Sequence, residues 1–219
     1  MTIQGTTEWH ASRQGKITAS RFNEVVNGGP ARWMSLLADI REDAERPADE
    51  LREQRGNIAM EWGTTHEATA RMWYELETAN DVEEVGFIDL PMRACVGRWP
   101  RGLAQFAAHQ YVGGSPDGLV GTDGMIEIKC PYTSGGQYFP MHLYRAQVQG
   151  LLWITGRQWC DYVEYDPRLT LPGYTERIER DEEYITTLAS RVLIFAHYLA
   201  DNTNPVVEDF RTGPVPELF

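Results

Sequence analysis

The sequence lacks any apolar run long enough to cross a membrane, which would take about 18 consecutive apolar residues. Its first residues contain no basic region followed by an apolar stretch, so a secretory signal is not indicated. The three cysteines (Cys95, Cys130 and Cys160) lie far apart and form neither a CxxC pair nor a metal-finger spacing. This cysteine usage fits free thiols in a reducing cytosol and argues against a disulfide framework.

Positive charge is also scarce: the chain has 20 Lys and Arg residues against 32 Asp and Glu residues, which gives a net charge of −12. Such a charge argues against non-specific coating of DNA or membranes. It does not exclude a nuclease, since an enzyme that must release DNA can confine its basic residues to a groove. Any nucleic-acid interpretation must therefore rest on local clusters. Lysine is rarer still: Lys16 and Lys129 are the only two, and the other cations are arginines.

The composition is that of a folded globular protein, with 42% hydrophobic and 11% aromatic residues in 219. The patterns predict helices, a mixed sheet, and then helix, strand, strand and helix, which is an α/β fold in one domain. The predicted elements are a helix after Thr18 or Ser20 that ends at Gly28, a helix from Pro30 that fades into a loop over 41–55, a helix from Asn57 to about Thr78, strands between Val82 and Val112, a hairpin over 114–130, a helix over 137–155, strands over 158–165 and 174–179, a helix capped by Asp181, and an irregular tail over 203–219.

The hairpin is the stretch around which the chain is organised. Along its second strand Ile126 and Ile128 point to one face, while Glu127 and Lys129 project side by side on the other, about 7 Å apart. A strand pairing back across the turn would bring Asp117 beside them. Two carboxylates and one ammonium are what a hydrolase needs to hold a divalent cation and steer a water molecule.

A plainer interpretation stands beside this one. Asp in a Pro-Asp-Gly turn is favoured by its own hydrogen bonding, and alternating Glu and Lys on a strand are often simply solvated. The placement of Lys129 in a chain that otherwise uses arginine favours a functional role, because lysine is a compact charge whose pKa can be shifted.

Three further segments place polar residues where they could line a binding site. Arg13, Lys16 and Arg21 flank a predicted helix start, which is either an anion site or a capped surface helix with scattered charges. Gly63 inside the long helix predicts close packing near Glu67. Gln147 and Gln149 interrupt an apolar helix and must find polar partners or face a cleft.

Taken together, these motifs resemble a known family. Ser-Pro-Asp at 115–117, followed after nine residues by Glu-Ile-Lys at 127–129, resembles the PD-(D/E)xK nuclease signature. The surrounding segments resemble, in order over about 8–185, the phage lambda exonuclease family, also called the YqaJ-like viral recombinases. These segments are Trp9-His10 with Arg13, residues 15–20, Trp62-Gly63 with Glu67, Cys130-Pro131, and residues 146–149, 165–168 and 178–181.

The resemblance implies a single nuclease domain over 1–219 with a PD-(D/E)xK, restriction-endonuclease-like fold, a central mixed β-sheet flanked by helices. It implies that Asp117, Glu127 and the backbone carbonyl of Ile128 bind Mg²⁺, for which Mn²⁺ can substitute. Glu67 would complete a second metal position, and two such ions can clamp the attacking and leaving oxygens. Lys129 would orient or deprotonate the attacking water and offset the charge on the phosphate.

The resemblance extends to the residues around this cluster. Gln147 matches the family's active-site glutamine, and Tyr144 lies next to the site. Met60 is either an apolar wedge between bases or a helix packing residue. The terminal 5′-phosphate would be bound by Arg13, Ser20 and Ser115. The first two of these residues belong to the N-terminal segment 1–29.

The implied activity is that of an alkaline exonuclease of phage or prophage recombination, acting in the cytoplasm of the bacterial host. Such enzymes digest one strand of a duplex 5′→3′ to mononucleotides and leave a 3′ single strand for an annealing protein. They act processively as ring-shaped homotrimers. Two departures limit what carries over: the connection over 130–146 is shorter than in the lambda enzyme, and the tail over 203–219 does not match, so DNA contacts and the trimer interface are not assigned.

Two alternatives remain open on the sequence. One is another PD-(D/E)xK enzyme, such as a RecB-type or Cas4-like nuclease or an endonuclease, although a Cas4-like protein normally needs four cysteines and this chain has three. The other is an inactive module that binds DNA ends. The presence of all three acids and the lysine argues against the second.

Overall fold

The computed structural model describes residues 3–47, 58–95, 108–133 and 141–205, and within the helical turn at 141–144 it does not describe the side chains of 141–142. Six helices lie in these ranges: α1 (Thr7–Arg13), α2 (Phe22–Asn27), α3 (Pro30–Glu45), α4 (Ile58–Thr78), α5 (Arg145–Thr155) and α6 (Glu182–Ala200). The strands are β1 (Ile17–Thr18), β2 (Val82–Glu83), β3 (Ile88–Asp89), β4 (Val112–Gly114), β5 (Gly118–Val120), β6 (Gly124–Lys129), β7 (Trp159–Tyr165) and β8 (Gly173–Glu179). Short 3₁₀ segments lie at Ala19–Arg21, Met92–Cys95, Ala108–Tyr111 and Met141–Tyr144.

The central sheet has five strands in the order β2-β5-β6-β7-β8. Strands β6 and β7 are parallel and are joined through α5, whereas the other neighbours are antiparallel. A smaller sheet, in the order β1-β4-β3, lies beside it. The mixed sheet and the single α/β domain agree with the prediction.

Alternation along β6 sends its side chains into two different cores. Met125 belongs to a large apolar cluster that includes residues of α2, α3, α5 and α6. Ile126 and Ile128 point to the opposite face, where they pack with Ala70 and Tyr74 of α4. The sheet is therefore covered by helices on both faces, and the polar end of β6 lies where the two coverings meet.

The C-terminal elements follow their local signals. Glycine 156, with φ of 74°, ends α5 in the left-handed conformation that helix C-termini favour. Asp181 caps α6 by accepting a hydrogen bond from the backbone N–H of Tyr184 at 2.9 Å. Glu182 and Glu183 lie in the first turn, where the helix dipole favours negative charge.

Several predicted boundaries were wrong. Helix α3 continues to Glu45 instead of fading at 41, because Arg41 donates hydrogen bonds to the Tyr198 and Thr203 carbonyls and an Arg46–Asp43 ion pair lies at its end. Helix α5 begins at Arg145 after a 3₁₀ turn, and the earlier part of the predicted helix, 137–140, lies outside the described residues. Helix α1 was not predicted.

One of the strands predicted between Val82 and Val112 was expected at Cys95-Val96. That prediction is wrong at Cys95, which ends a 3₁₀ segment with its side chain buried. Its neighbour Val96 lies outside the described residues, as do 48–57 and the tail from 206. In the ranges that are described, no helix is long and apolar enough to cross a membrane.

Candidate active site

The β5–β6 hairpin sets the geometry of the polar cluster. Because Gly118 pairs with Ile126, Asp117 stands beside Glu127 at the open end of the hairpin. The Asp117 carboxylate accepts a hydrogen bond at 2.6 Å from the Ile128 backbone N–H. The predicted meeting of Asp117 with the Glu127 strand is therefore present.

Glu127 is the centre of the cluster and is only 2% exposed. Its Oε1 atom accepts hydrogen bonds from Lys129 Nζ and from Gln147 Nε2, each at 2.5 Å. Its Oε2 atom is buried and has no hydrogen-bond partner in the part of the chain that is described. Gln147 thus has a charged partner, while one carboxylate oxygen is left without one.

Burial and mutual repulsion make the two acids hard to ionise. Burial, followed by the charge of Asp117, raises the pKa of Glu127 to about 8. Burial also raises the pKa of Asp117, although Lys129 and the Ile128 N–H oppose this. Burial favours the neutral amine of Lys129, but the two carboxylates outweigh it and raise its pKa. The cluster is therefore short of positive charge when both acids are ionised.

Glu67 reaches the cluster from α4 but has its own cation. Its Oε1 atom lies 2.9 Å from Arg71 Nη2, and Arg71 also pairs with Glu84 at 2.7 Å. Burial, then the charge of Asp117, raises the pKa of Glu67 to about 7. Among the described side chains, no three His, Cys, Asp or Glu lie close enough together to form a metal site. Glu67 is therefore beside the Asp117–Glu127 pair without joining it as a third ligand.

The polar cluster lines a cleft of about 490 Å³, called here the active-site cleft, which Asp117, Glu127 and Lys129 share with Arg13 and Ser20. Glu67, Ser115 and Gln147 line the same cleft. The structure thus brings the predicted metal ligands and the predicted phosphate ligands into one space.

Helix α1 carries Arg13, one of the three predicted phosphate ligands. The guanidinium carbon of Arg13 lies 4.1 Å from the centre of the Trp9 ring. Trp9 Nε1 donates a hydrogen bond to Ser115 Oγ at 2.9 Å, and the hydroxyls of Thr18 and Ser20 are 3.0 Å apart. Trp9 therefore links two of the three predicted phosphate ligands, Arg13 and Ser115.

Arg13 differs from its neighbouring cations. Within the described ranges it has no carboxylate at ion-pair distance, and burial lowers the pKa of its guanidinium, with Asp43 opposing this from farther away. The other Lys and Arg side chains in the adjoining cleft, of about 920 Å³, are all paired: Lys16 with Asp89, Arg21 with Asp39, Arg46 with Asp43, and Arg71 with Glu67. Arg13 is thus a desolvated cation available to an anion.

The remaining predicted residues are placed as follows. The Tyr144 ring lies 5.1 Å from Lys129 Nζ and 5.6 Å from the Tyr162 ring, behind the cleft and not on its wall. Met60 is 59% exposed on the cleft wall, which argues against a core packing role. The expected close packing at Gly63 was wrong, because a Cβ there would meet nothing within 4 Å.

Sequence reasoning missed several supporting residues. Arg71 follows Glu67 by four positions in a helix, a spacing that would have indicated the ion pair. The links from Trp9 to Ser115 and from Gln4 Nε2 to the Pro116 carbonyl, at 2.9 Å, span more than 100 residues and have no local signal.

A mixed sheet flanked by helices, with Asp117 at a hairpin end and Glu127 and Lys129 on the next strand, defines a nuclease of the PD-(D/E)xK class. Residues 8–158 match the model of the YqaJ-like viral recombinase domain, and the chain belongs to that family. Both the fold prediction and the predicted family are confirmed. Membership indicates a DNA exonuclease.

Solved structures support the assignment. The alkaline exonuclease LHK-Exo from Laribacter hongkongensis is 36% identical with a TM-score of 0.71, over 94% of this chain and 96% of that one. Its complex with dAMP gives 35% identity and a TM-score of 0.72 over the same shares. A phage-related exonuclease from Haemophilus somnus 129PT, at 14% identity and a TM-score of 0.60 over 85% and 94% of the two chains, shares the fold. No curated protein sequence matches the chain.

Proposed function

We propose that this protein is a Mg²⁺-dependent exonuclease that digests one strand of linear duplex DNA from its 5′ end and leaves a 3′ single strand. The observation that carries the proposal is the active-site cleft itself. It is lined both by the under-neutralised carboxylate pair Asp117 and Glu127 and by Arg13, whose guanidinium has no carboxylate at ion-pair distance among the described residues. A metal-assisted cut near a bound terminal phosphate needs both features together.

The residues present fit a divalent cation. The buried Oε2 atom of Glu127 lacks a partner among the described residues, and burial raises the pKa values of both Asp117 and Glu127, so that an added cation would favour their ionised forms. Asp117, Glu127 and the Ile128 carbonyl would hold the first Mg²⁺, and Glu67 would contribute to a second on leaving Arg71. When bound, Mg²⁺ supplies a Lewis acid and makes an attacking hydroxide available near neutral pH.

Lys129 and Gln147 then have distinct roles. Because the raised pKa of Lys129 keeps its amine protonated, Lys129 would orient the attacking water and offset phosphate charge instead of acting as a base. Gln147 donates to Glu127 Oε1 and holds that carboxylate in its rotamer. Tyr144, against the Lys129 ammonium, would limit where the ammonium can move.

The 5′-phosphate contacts would set the polarity of digestion. Arg13, Ser20 and Ser115 line the same active-site cleft as the carboxylates. A terminal phosphate held by this group would leave the next phosphodiester within reach of Asp117 and Glu127. Digestion would then begin at 5′-phosphorylated ends and release mononucleotides.

The remaining parts of the proposal rest on the resemblance to the lambda exonuclease family. We propose that the protein forms a ring-shaped homotrimer, acts processively in the cytoplasm of a bacterial host, and hands the 3′ strand to a single-strand annealing protein. Multi-angle light scattering tests the assembly: a mass of three chains is expected, and a monomer at working concentration would contradict the ring.

One digestion experiment tests the activity, its polarity and its metal requirement. Linear duplex labelled at either end, with 5′-phosphate or 5′-hydroxyl termini, is incubated with Mg²⁺, with Mn²⁺, or with EDTA. We expect metal-dependent release of 5′ label as mononucleotide and slower attack on hydroxyl ends. Cutting of closed circular DNA would instead indicate an endonuclease, and binding of ends without digestion would indicate an inactive module.

A further inference from the structure

The two halves of α4 are held in different ways. The half at 70–78 is fixed to the sheet, because Ala70 and Tyr74 are buried and the Tyr74 hydroxyl donates to Asp161 at 2.7 Å. In the half at 58–69 no residue is buried, yet Met60, Thr64 and Glu67 of this half line the active-site cleft. One wall of the cleft therefore has no core packing to fix its position.

From this half, Trp62 contacts other parts of the chain. Its ring lies 4.6 Å from the guanidinium carbon of Arg168 and 5.8 Å from the Tyr132 ring. Arg168 Nη2 also donates to the backbone carbonyls of Pro131 and Tyr132, at 3.3 and 3.1 Å. Residues 130–132 directly follow Lys129, so Arg168 contacts both α4 and the segment that follows β6.

Asp166 fixes the orientation of the Arg168 guanidinium. Arg168 Nε and Nη2 donate to the two Asp166 oxygens, each at 2.7 Å, and the Arg168 backbone N–H donates to Oδ1 at 3.0 Å. The Asp166 carboxylate is itself buried. A bidentate pair of this kind fixes the orientation of the guanidinium plane that stacks on the Trp62 ring. The group Trp62, Tyr132, Asp166 and Arg168 is called here the Arg168 clamp.

We infer that Arg168 is a positioning residue of the nuclease site. Through the Arg168 clamp it holds the N-terminal half of α4 against the segment that follows β6. Glu67, on that half of α4, and Lys129, the last residue of β6, thereby keep a fixed separation across the cleft. The inference rests on the proposed nuclease function, since the separation matters for metal and DNA held between the two residues.

Only arginine can make all these contacts. The planar fork binds both Asp166 oxygens, donates to two carbonyls and stacks on Trp62, whereas the lysine ammonium is a point charge that cannot stack in this way. Arg168→Lys therefore removes the clamp while it keeps the charge beside Asp166. Arg157→Lys is the matched control, because Arg157 Nη1 also donates to backbone carbonyls, those of Gly121 and Gly124, but at the opposite end of β6.

Two measurements on the full-length protein test the inference. In hydrogen–deuterium exchange, Arg168→Lys should increase exchange in 58–67 and leave 70–78 at the wild-type level. In digestion of 5′-phosphorylated duplex, the Mg²⁺ concentration for half-maximal rate should rise about tenfold, as for other residues that orient a metal ligand. Saturating Mg²⁺ should restore most of the rate. Arg157→Lys should change neither quantity.

Unchanged exchange in 58–67 together with an unchanged Mg²⁺ midpoint in Arg168→Lys would overturn the inference. So would equal changes in Arg157→Lys, because these would indicate general loosening. If the wild type digests no DNA, the proposed function fails, and the exchange comparison alone then decides whether the clamp fixes α4.

Discussion

Two buried carboxylates on neighbouring strands of the central sheet are held in opposite ways. Asp161 on β7 is 3% exposed, and both of its oxygens are bonded: Arg177 donates to them at 2.7 and 2.8 Å, and the Tyr74 hydroxyl donates to Oδ2 at 2.7 Å. Glu127 on β6 is 2% exposed, but all its partners converge on Oε1 and leave Oε2 without one among the described residues.

The number of oxygens that have partners distinguishes the two carboxyl groups: that of Asp161 is structural, and that of Glu127 is the one we propose to be functional. A buried acid whose two oxygens are both met by fixed donors stabilises its surroundings and leaves little capacity for a ligand. A buried acid with an open oxygen beside a second acid is costly to ionise without an added cation. Asp161 therefore ties α4 to the sheet, whereas the open oxygen of Glu127 is the feature on which the proposed metal site rests.

The largest expected effect is on catalysis at the Glu127 side of the comparison. Glu127→Gln, Asp117→Asn and Lys129→Met should each lower the rate of duplex digestion by about 10²–10⁴-fold, because they remove a metal ligand or the water-orienting cation. Thermal unfolding should show that the fold survives. A variant that keeps nearly the wild-type initial rate would mean that the reacting groups lie elsewhere.

Asp161→Asn should have the reverse profile. It leaves the half-exposed Arg177 guanidinium facing a neutral amide and weakens the bond to Tyr74, so the free energy of unfolding should fall by about 1.5–3 kcal/mol, the range for a hydrogen bond to a charged group. Urea denaturation measures this loss. The protein that remains folded should keep the wild-type Mg²⁺ midpoint, and a shifted midpoint with unchanged stability would invert the assignment of the two acids.

The pH dependence of stability should also distinguish them. The pKa of Glu127 is raised from 4.5 to about 8, so between these values the folded protein binds a proton that the unfolded chain does not. Stability in EDTA should therefore fall as pH rises from about 5 to 8, and Mg²⁺ should offset the fall. Glu127→Gln should flatten the profile, measured by urea midpoints across this range. A wild-type profile that rises with pH would contradict the raised pKa.

A smaller effect is expected at the phosphate side of the cleft. Arg13→Gln should reduce the rate advantage of 5′-phosphate over 5′-hydroxyl ends by about 10- to 100-fold, the range for losing a hydrogen bond to a charged group. Lys16→Gln is the control, because Lys16 already pairs with Asp89 at 2.6 Å. An unchanged ratio in Arg13→Gln, or an equal loss in Lys16→Gln, would remove Arg13 from the terminal phosphate.

Local sequence signals predicted the elements that depend on local chemistry. The alternation at 125–129 predicted which residues of β6 share a face, and the Asp181 cap predicted the start of α6. Boundaries set by distant contacts were missed: α3 is extended by Arg41, which bonds to carbonyls near position 200. The 3₁₀ turn at Cys95 is likewise decided by burial and not by the strand propensity of its neighbours.

The same distinction holds for the candidate site. Asp117, Glu127 and Lys129 were found because hairpin register is short-range information. Gln147 was recognised as a glutamine in need of a partner, but only the fold shows that the partner is Glu127. Among the described residues Arg13 lacks an ion pair, while Lys16 and Arg21 pair with carboxylates brought in by other elements, so no spacing in the sequence could reveal the difference.

In the proposed cation site, the Glu127 and Asp117 pair holds a proton near neutral pH when no metal is bound, and the proposed function depends most on this property. Calorimetric titration of Mg²⁺ into DNA-free protein at pH 7, in two buffers of different ionisation enthalpy, measures both binding and proton release. We predict that the wild type binds Mg²⁺ and releases protons, because its buried acids must ionise to bind the metal, and that Glu127→Gln loses both. No binding by the wild type, or equal binding by Glu127→Gln without proton release, would contradict the account.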